Sequence, residues 1–188
     1  MEKEKQPEKA PGLSGALIES ERLILRPTSN HDAQDIYREF NDNVTTFLTR
    51  GPNESLKATH DFISRSIEAT KNGEKLQLTV TDRNDEFLGL TSIERADSQT
   101  PELGLWLKEA AQGNGYGPEL IFALVDWANN NLDFDYLIFR ADAENVGSWK
   151  IAEKLLKKYK GEFVGEKPEI LRGLERITRT YHILPEAL

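Results

Sequence analysis

Hydrophobic and polar residues alternate near the start of the chain and again in its middle. The segment ERLILRPT (21–28) places Leu23 and Leu25 between polar residues, which is typical of a strand with one buried face. RNDE at 83–86 is typical of a hairpin turn between two strands. Three strands are therefore predicted in succession in this central region: 75–82, 86–96 and 101–108.

A second pattern, with apolar residues three or four positions apart, predicts helices. Ser29 or Asn30 is a suitable N-cap for the first helix, and a second helix is expected from about Ser55 to Gly73. The later segments complete a predicted order of β, α, α, β, β, β, α, β, α, β, β, which favours one mixed sheet with helices on both faces. These segments are a helix at 118–131, a buried strand at 135–142, a helix striped by Ile151, Ala152, Leu155, Leu156 and Tyr159, and strands at 161–171 and 175–184.

Length and composition are those of one globular domain. The chain has 188 residues, and we expect residues 1–16, rich in Glu, Lys, Pro and Gly, to form a flexible tail before a single domain at 17–188. No apolar run has the length of a membrane span, and the N-terminus lacks the apolar core of a signal peptide, so a cytoplasmic protein without a membrane partner is expected.

Cysteine content and charge narrow the chemistry. With no cysteines, the chain can form neither a disulfide nor an acyl-cysteine intermediate, and its three scattered histidines lack metal-ligand spacing, so we predict no metal site. The net charge of −8 argues against a nucleic-acid partner and is compatible with a basic acceptor.

The most informative stretch is AAQGNGYGPEL (110–120), which leads into the helix predicted at 118–131. Glycines permit unusual backbone angles and close approach by a ligand, and the first turn of a helix offers unpaired N–H groups to an anion. Pro118 suits the first helical position. The Gly-Lys-Ser/Thr of a Walker loop is absent, and Pro118 occupies the third glycine of a dinucleotide fingerprint. On residues alone, the stretch predicts a phosphate-type ligand, or else a flexible loop that only caps a helix.

The order Gln112-Gly113-Asn114-Gly115-Tyr116-Gly117 resembles the Q/R-x-x-G-x-G/A motif of the GNAT acetyltransferases, whose loop binds the pyrophosphate of coenzyme A. ERLILRP, ELGLWL and NVGSWKIAEKL resemble the branch that contains the RimJ/RimL ribosomal-protein N-acetyltransferases, from about Ser20 to Ile183. The resemblance implies a GNAT α/β (α+β) fold with a mostly antiparallel sheet of about seven strands and four helices. It also implies acetyl-CoA as cosubstrate, a primary amine as acceptor and a homodimer.

The resemblance also implies roles for individual residues. Glu102 is the predicted base, acting directly or through a water, and alternatively it only holds a neighbouring strand or a basic acceptor. Ser148 is the predicted proton donor to the leaving thiolate, although Ser and Asn here are also good N-caps. The predicted cofactor-binding residues are Leu105, Trp106, Leu107, Gln112, Gly113, Asn114, Gly115, Tyr116, Gly117 and Asn145.

The acceptor is left open by two departures from the family pattern. KLLKKYKGEF replaces a short Lys-x-Gly-Phe turn after the last helix, and Leu105 stands where relatives often have tyrosine.

Many relatives use a tyrosine as the acid, but Tyr159 lies on the apolar stripe and is interpreted as core. Acidic residues such as Asp32, Asp35, Glu39 and Glu54 either attract a cationic acceptor or form a solvated face. The acceptor is thus a protein N-terminus or a small amine, and the alternative is a non-catalytic module that binds CoA.

Overall fold

The fold is built on one eight-stranded sheet in the order β1-β2-β3-β4-β5-β6-β8-β7. The computed structural model describes residues 13–186. All neighbouring strands are antiparallel apart from β5 and β6, so the predicted mixed, mostly antiparallel sheet is confirmed. The strands are β1 (Ile18–Glu19), β2 (Leu23–Pro27), β3 (Lys75–Asp82), β4 (Phe87–Glu94), β5 (Glu102–Leu107), β6 (Leu137–Asp142), β7 (Gly161–Leu171) and β8 (Leu174–Ile183).

Five α-helices cover the two faces of this sheet. Side chains alternate between the faces of a strand, and two cross-strand pairs separate the two cores. Leu90 and Trp106 belong to the cluster under α1 and α3, whereas Ile93 and Leu103 belong to the main cluster under α4 and α5. The helices are α1 (Ala33–Glu39), α2 (Asp42–Thr45), α3 (Leu56–Lys71), α4 (Tyr116–Asn131) and α5 (Val146–Lys158).

The boundary of the predicted tail differs in the structure. Residues 13–15 form a short 3-10 turn, and Leu13 and Ala16 are buried in the main core cluster. Residues 13–16 therefore pack with the domain because they carry apolar side chains that the sheet can bury. The rest of the predicted tail, 1–12, lies outside the described residues.

The parallel pair β5–β6 is short and then opens. Only Glu102 pairs with Ile138 and Leu103 with Phe139, although both strands continue for several residues beyond these pairs. Since β6 is paired on its other edge with β8, the sheet parts between 104–107 of β5 and the end of β6. The two strands therefore diverge beyond Leu103 and Phe139.

The last two strands form a long hairpin that reaches back to α2. Its turn is made by Arg172 (φ 51°) and Gly173 (φ 80°), both in the left-handed region. An Arg172 guanidinium N–H donates to the carbonyl oxygen of Thr45 at 3.1 Å. The hairpin tip and α2 therefore meet over the opening between β5 and β6.

None of the helices in the described part of the chain has both the length and the apolarity that a bilayer span requires.

Candidate functional site

The glycine loop at 113–117 runs into the N-terminus of α4. Gly113 (φ 76°) and Gly115 (φ 80°) adopt left-handed backbone angles, and Gly115 is the N-cap of the helix. Among the described residues, the five backbone N–H groups from Gly113 to Gly117 donate to no acceptor in the protein. The helix begins at Tyr116, so the prediction that Pro118 starts it was wrong by two residues. Pro118 still lies in the first turn, where its missing N–H costs no hydrogen bond.

Arg22, the residue directly before β2, fixes this loop. Its backbone N–H and its Nε each donate to a carboxylate oxygen of Glu119 at 2.7 Å. A second guanidinium N–H donates to the carbonyl oxygen of Asn114 at 3.1 Å, and the guanidinium lies 4.6 Å from the ring centre of Tyr116. Burial alone would raise the pKa of Glu119, but hydrogen bonds from Ser20 and Arg22 lower it overall. Sequence reasoning missed Arg22 because nothing local marks it.

A cavity of about 470 Å³ lies between the loop, β5 and α5. Lys150 and Lys154 of α5 also line it and were not predicted. Asn114 and Tyr116 do not line it: the Asn114 amide donates to the carbonyl oxygens of Ala110 and Gln112, while Tyr116 packs against the main core. These two residues shape the loop from behind. The predicted residues that do line the cavity are Leu105, Trp106, Leu107, Gln112, Gly113, Gly115, Gly117, Asn145 and Ser148.

The free edge of β5 presents backbone groups to the same cavity. The N–H of Lys108 donates to Leu88 on β4 at 2.8 Å, and successive N–H groups of a strand point to opposite edges. The N–H groups of Leu105 and Leu107 therefore face the gap toward β6. That of Trp106 faces β4, and its ring packs against Phe40, with ring centres 5.0 Å apart.

A second cavity, of about 410 Å³, continues from the first under the hairpin tip. The two cavities share Leu48, Leu105, Asn145 and Ser148 among their lining residues. Charged side chains dominate the far wall of this second cavity. They are Glu94, Glu102, Arg140, Asp142 and Glu169.

Glu102 enters the second cavity already paired. Its two oxygens accept from Nε and a terminal nitrogen of Arg140 at 2.8 and 3.0 Å, and Arg95 approaches at 3.5 Å. The hydrogen bond to Glu102, more than offsetting burial, raises the pKa of Arg140. An ionised carboxylate has about four lone-pair sites, so Glu102 retains acceptor capacity for a water or an amine.

Asn145 and Ser148 stand together at the start of α5. Asn145 is the N-cap, and its side-chain oxygen accepts from the backbone N–H of Ser148 at 3.1 Å.

Tyr159 is buried and donates its hydroxyl to Asp126. Burial and that contact raise the pKa of Tyr159. Because Tyr159 lines neither cavity, its interpretation as a core residue is confirmed.

A third, smaller cavity of about 190 Å³ opens from the second one toward α1 and α3. It was not foreseen from the sequence. Its walls are mostly apolar, with Phe40, Phe62 and Trp106 prominent, and Arg50 and Lys75 line it as well.

Comparisons with known proteins agree with this geometry. A sequence profile described as "Acetyltransferase (GNAT) domain" matches residues 22–155. An uncharacterized N-acetyltransferase, p20, of Bacillus licheniformis is 23% identical over 140 residues, which cover 72% of this chain and 79% of that protein.

Two solved structures share the fold. One is an acetyl transferase from Salmonella typhimurium that modifies the N-terminal serine of 50S ribosomal subunit protein L7/L12. Its TM-score is 0.76 at 18% identity, over 90% of this chain and 99% of that one. The other is a spermidine N-acetyltransferase from Vibrio cholerae in complex with CoA and spermine, with a TM-score of 0.76 at 18% identity, over 88% of this chain and 97% of that one.

Proposed function

Since the chain belongs to the GNAT acetyltransferase family, we propose that it transfers an acetyl group from acetyl-CoA directly to a primary amine, without a covalent enzyme intermediate. One observation carries the proposal: a loop whose five N–H groups have no protein acceptor borders, through Gly113, Gly115 and Gly117, a cavity that runs along the free edge of a parted strand. That arrangement suits a long ligand with an anionic end and a hydrogen-bonding arm. Acetyl-CoA has this shape.

The first cavity would hold acetyl-CoA. The N–H groups from Gly113 to Gly117 would bind the pyrophosphate, since a helix N-terminus and a left-handed glycine loop both favour an anion. Lys150 and Lys154 would add positive charge. Gln112 already donates to the carbonyl oxygen of Leu107 at 2.9 Å, which fixes the strand edge that would bind the arm, and Asn145 would contact that arm from the other side.

The second cavity would hold the acceptor. Glu102, directly or through a water, would take a proton from the ammonium, and the neutral nitrogen would attack the thioester carbonyl carbon. As the N–C bond forms and the C–S bond breaks, the N–H groups of Leu105 and Leu107 would stabilise the oxyanion, a contribution of about 3 kcal/mol for one donor. Ser148 would then give its hydroxyl proton to the thiolate and recover one from solvent, while the attacking nitrogen, positively charged after addition, would lose its second proton to solvent and become the amide nitrogen.

Two classes of acceptor remain candidates: a protein N-terminal amine and a small amine. Solved structures of the same fold include one protein of each kind. We further propose that the protein acts in the cytoplasm. A non-catalytic CoA-binding role is less well supported because Glu102, Asn145 and Ser148 all line the second cavity, and Asn145 and Ser148 also line the first cavity beside the glycine loop.

The proposal is tested by calorimetric titration with acetyl-CoA, followed by an assay of CoA release with a panel of amines. Micromolar binding is expected for the native protein and a large loss for Gly115→Val, because a β-branched residue is strained at φ 80°. Gly15→Val is the matched control, since no atom lies within 4 Å of a Cβ at that glycine. Absence of acetyl-CoA binding would overturn the acetyltransferase proposal. Binding without turnover on any amine would favour the non-catalytic alternative.

A further inference from the structure

The third cavity carries positive charge without a matching carboxylate. The Arg50 guanidinium lies 4.3 Å from the ring centre of Phe62 and 5.2 Å from that of Phe40, and it donates one hydrogen bond to the Asn53 side chain at 2.9 Å. Within residues 13–186, no carboxylate oxygen lies within 4.0 Å of Arg50. The guanidinium is thus held by aromatic rings and an amide, with donors to spare.

The surroundings add to this positive charge. Lys75 lines the same cavity but is paired with Glu94 at 2.7 Å, so these two charges cancel. Partial burial of the guanidinium and the nearby charge of Arg65 lower the pKa of Arg50, and the negative charge of Glu94 offsets only part of this, although the residue as a whole stays exposed.

The cavity opens toward the reacting groups. Leu48, Ser92, Gly104 and Leu105 line both it and the second cavity, in which Glu102 and Ser148 also lie. A volume of about 190 Å³ and a mostly apolar wall suit a short hydrocarbon segment that ends at the Arg50 side. A planar guanidinium fork binds a carboxylate through two parallel hydrogen bonds.

We propose that Arg50 binds a carboxylate on the acceptor, so that the substrate is a small amino carboxylate whose amine faces Glu102 while its carboxylate occupies the third cavity. The inference rests on the proposed acetyl transfer and narrows its acceptor class. It disfavours a polyamine, whose second ammonium would meet the Arg50 guanidinium, while Glu94 of the same cavity is already paired with Lys75.

The test compares three acceptors that share one amine and one chain length: 6-aminohexanoate, 6-aminohexanamide and hexane-1,6-diamine. The series is repeated with three to five carbons, since the length that reaches Arg50 is set by the cavity. Two quantities are measured: kcat/KM by CoA release, and acceptor affinity by calorimetry on the protein saturated with CoA, which needs no turnover. Arg50→Gln is compared with Arg38→Gln, which removes the same charge from an exposed pair with Asp35 and Glu39.

For one chain length, the native protein is expected to favour the carboxylate over both analogues by about 10- to 100-fold, the usual value of a hydrogen bond to a charged group. Arg50→Gln should abolish that preference and leave acetyl-CoA binding unchanged, and Arg38→Gln should preserve it. The inference is overturned if the diamine or the amide is favoured, or if Arg50→Gln weakens all three acceptors equally. Carboxylate binding that depends on Arg50 but comes without turnover would support the inference while contradicting the proposed catalysis.

Discussion

Arg140 holds both carboxylate oxygens of Glu102, at 2.8 and 3.0 Å, beside the two parallel pairs after which β5 and β6 separate. The contact does two things at once. It joins the strands just below the opening, and it orients Glu102 at the wall of the acceptor cavity. Both roles that the sequence left open for this residue are therefore compatible with its geometry, and kinetics must separate them.

Glu102→Gln is expected to lower kcat/KM by about 10²- to 10⁴-fold while leaving acetyl-CoA affinity unchanged, because a positioned base contributes about that much. The measurement is CoA release from pH 6 to 9, with the dissociation constant for acetyl-CoA determined in parallel. Glu19→Gln, in an exposed pair with Arg83 at 2.6 Å, is the control. Turnover that stays unchanged at every pH would leave Glu102 only the task of holding Arg140.

Arg22→Ala is expected to weaken acetyl-CoA binding by about three- to tenfold, because the loop at 113–117 then loses the contacts that Arg22 makes with Asn114 and Tyr116 and must be ordered by the ligand. The ion pair is partly exposed, so we expect a fall in melting temperature of only about 2–4 °C. Calorimetry and thermal melts check the two quantities. Arg83→Ala, which has the same exposed fraction as Arg22 (45%), should leave binding intact; equal weakening by both variants would contradict a role for Arg22 in the loop.

Acidification is expected to destabilise the protein through Asp32 and Glu119. Burial alone would raise the pKa of Asp32, but hydrogen bonds from Arg26 and the Ser29 backbone lower it overall. A carboxyl whose pKa is lowered by folding adds stability above its unfolded value of about 4, and that stability is lost as pH falls through the folded value. Glu119 has the same sign.

Thermal melts from pH 2.5 to 7 measure this dependence. Asp32→Asn should cost about 3 kcal/mol in the free energy of unfolding at neutral pH, because it leaves Arg26 without its mostly buried partner. The same variant should flatten the loss below pH 4. Glu54→Gln, at an exposed position, is the control. An unchanged slope in Asp32→Asn would show that this pair does not govern acid stability.

Ser148→Ala and Asn145→Ala are expected to separate two roles at the start of α5. Ser148→Ala, which removes the proposed proton donor, should lower kcat by about 10- to 100-fold without weakening acetyl-CoA binding. Loss of the Asn145 N-cap should cost about 1 kcal/mol of stability and weaken acetyl-CoA binding. Single-turnover rates, binding and melts are compared for both. An unchanged rate in Ser148→Ala would assign the thiolate proton to solvent.

Local sequence patterns predicted the long strands better than the shortest elements of the fold. The strand at 75–82 was predicted with the limits that the structure has, since its alternation is continuous and a hairpin turn ends it. The two-residue strand β1 is too short for any periodicity to reveal it. The four-residue helix α2 is likewise invisible, although Asn41 caps it by accepting from the N–H of Val44.

The candidate site likewise contains residues that the sequence could predict and residues that it could not. The glycine loop could be predicted because the left-handed backbone angles of Gly113 and Gly115 favour glycine, so the residue type itself marks these positions. Arg22 and Arg140 could not, because their carboxylate partners lie 97 and 38 positions away, respectively, and only the fold brings them together. Asp32, considered as a surface charge for a cationic acceptor, is instead buried against Arg26.

Leu105, Asn145 and Ser148 form a wall common to the first two cavities, and this has a kinetic consequence. Two ligands that meet at one wall react only while both are bound. Initial rates plotted as double reciprocals should therefore give lines that intersect, as in a sequential mechanism, and not the parallel lines of a ping-pong scheme. If the first cavity binds CoA as we propose, free CoA that accumulates should inhibit the reaction in competition with acetyl-CoA.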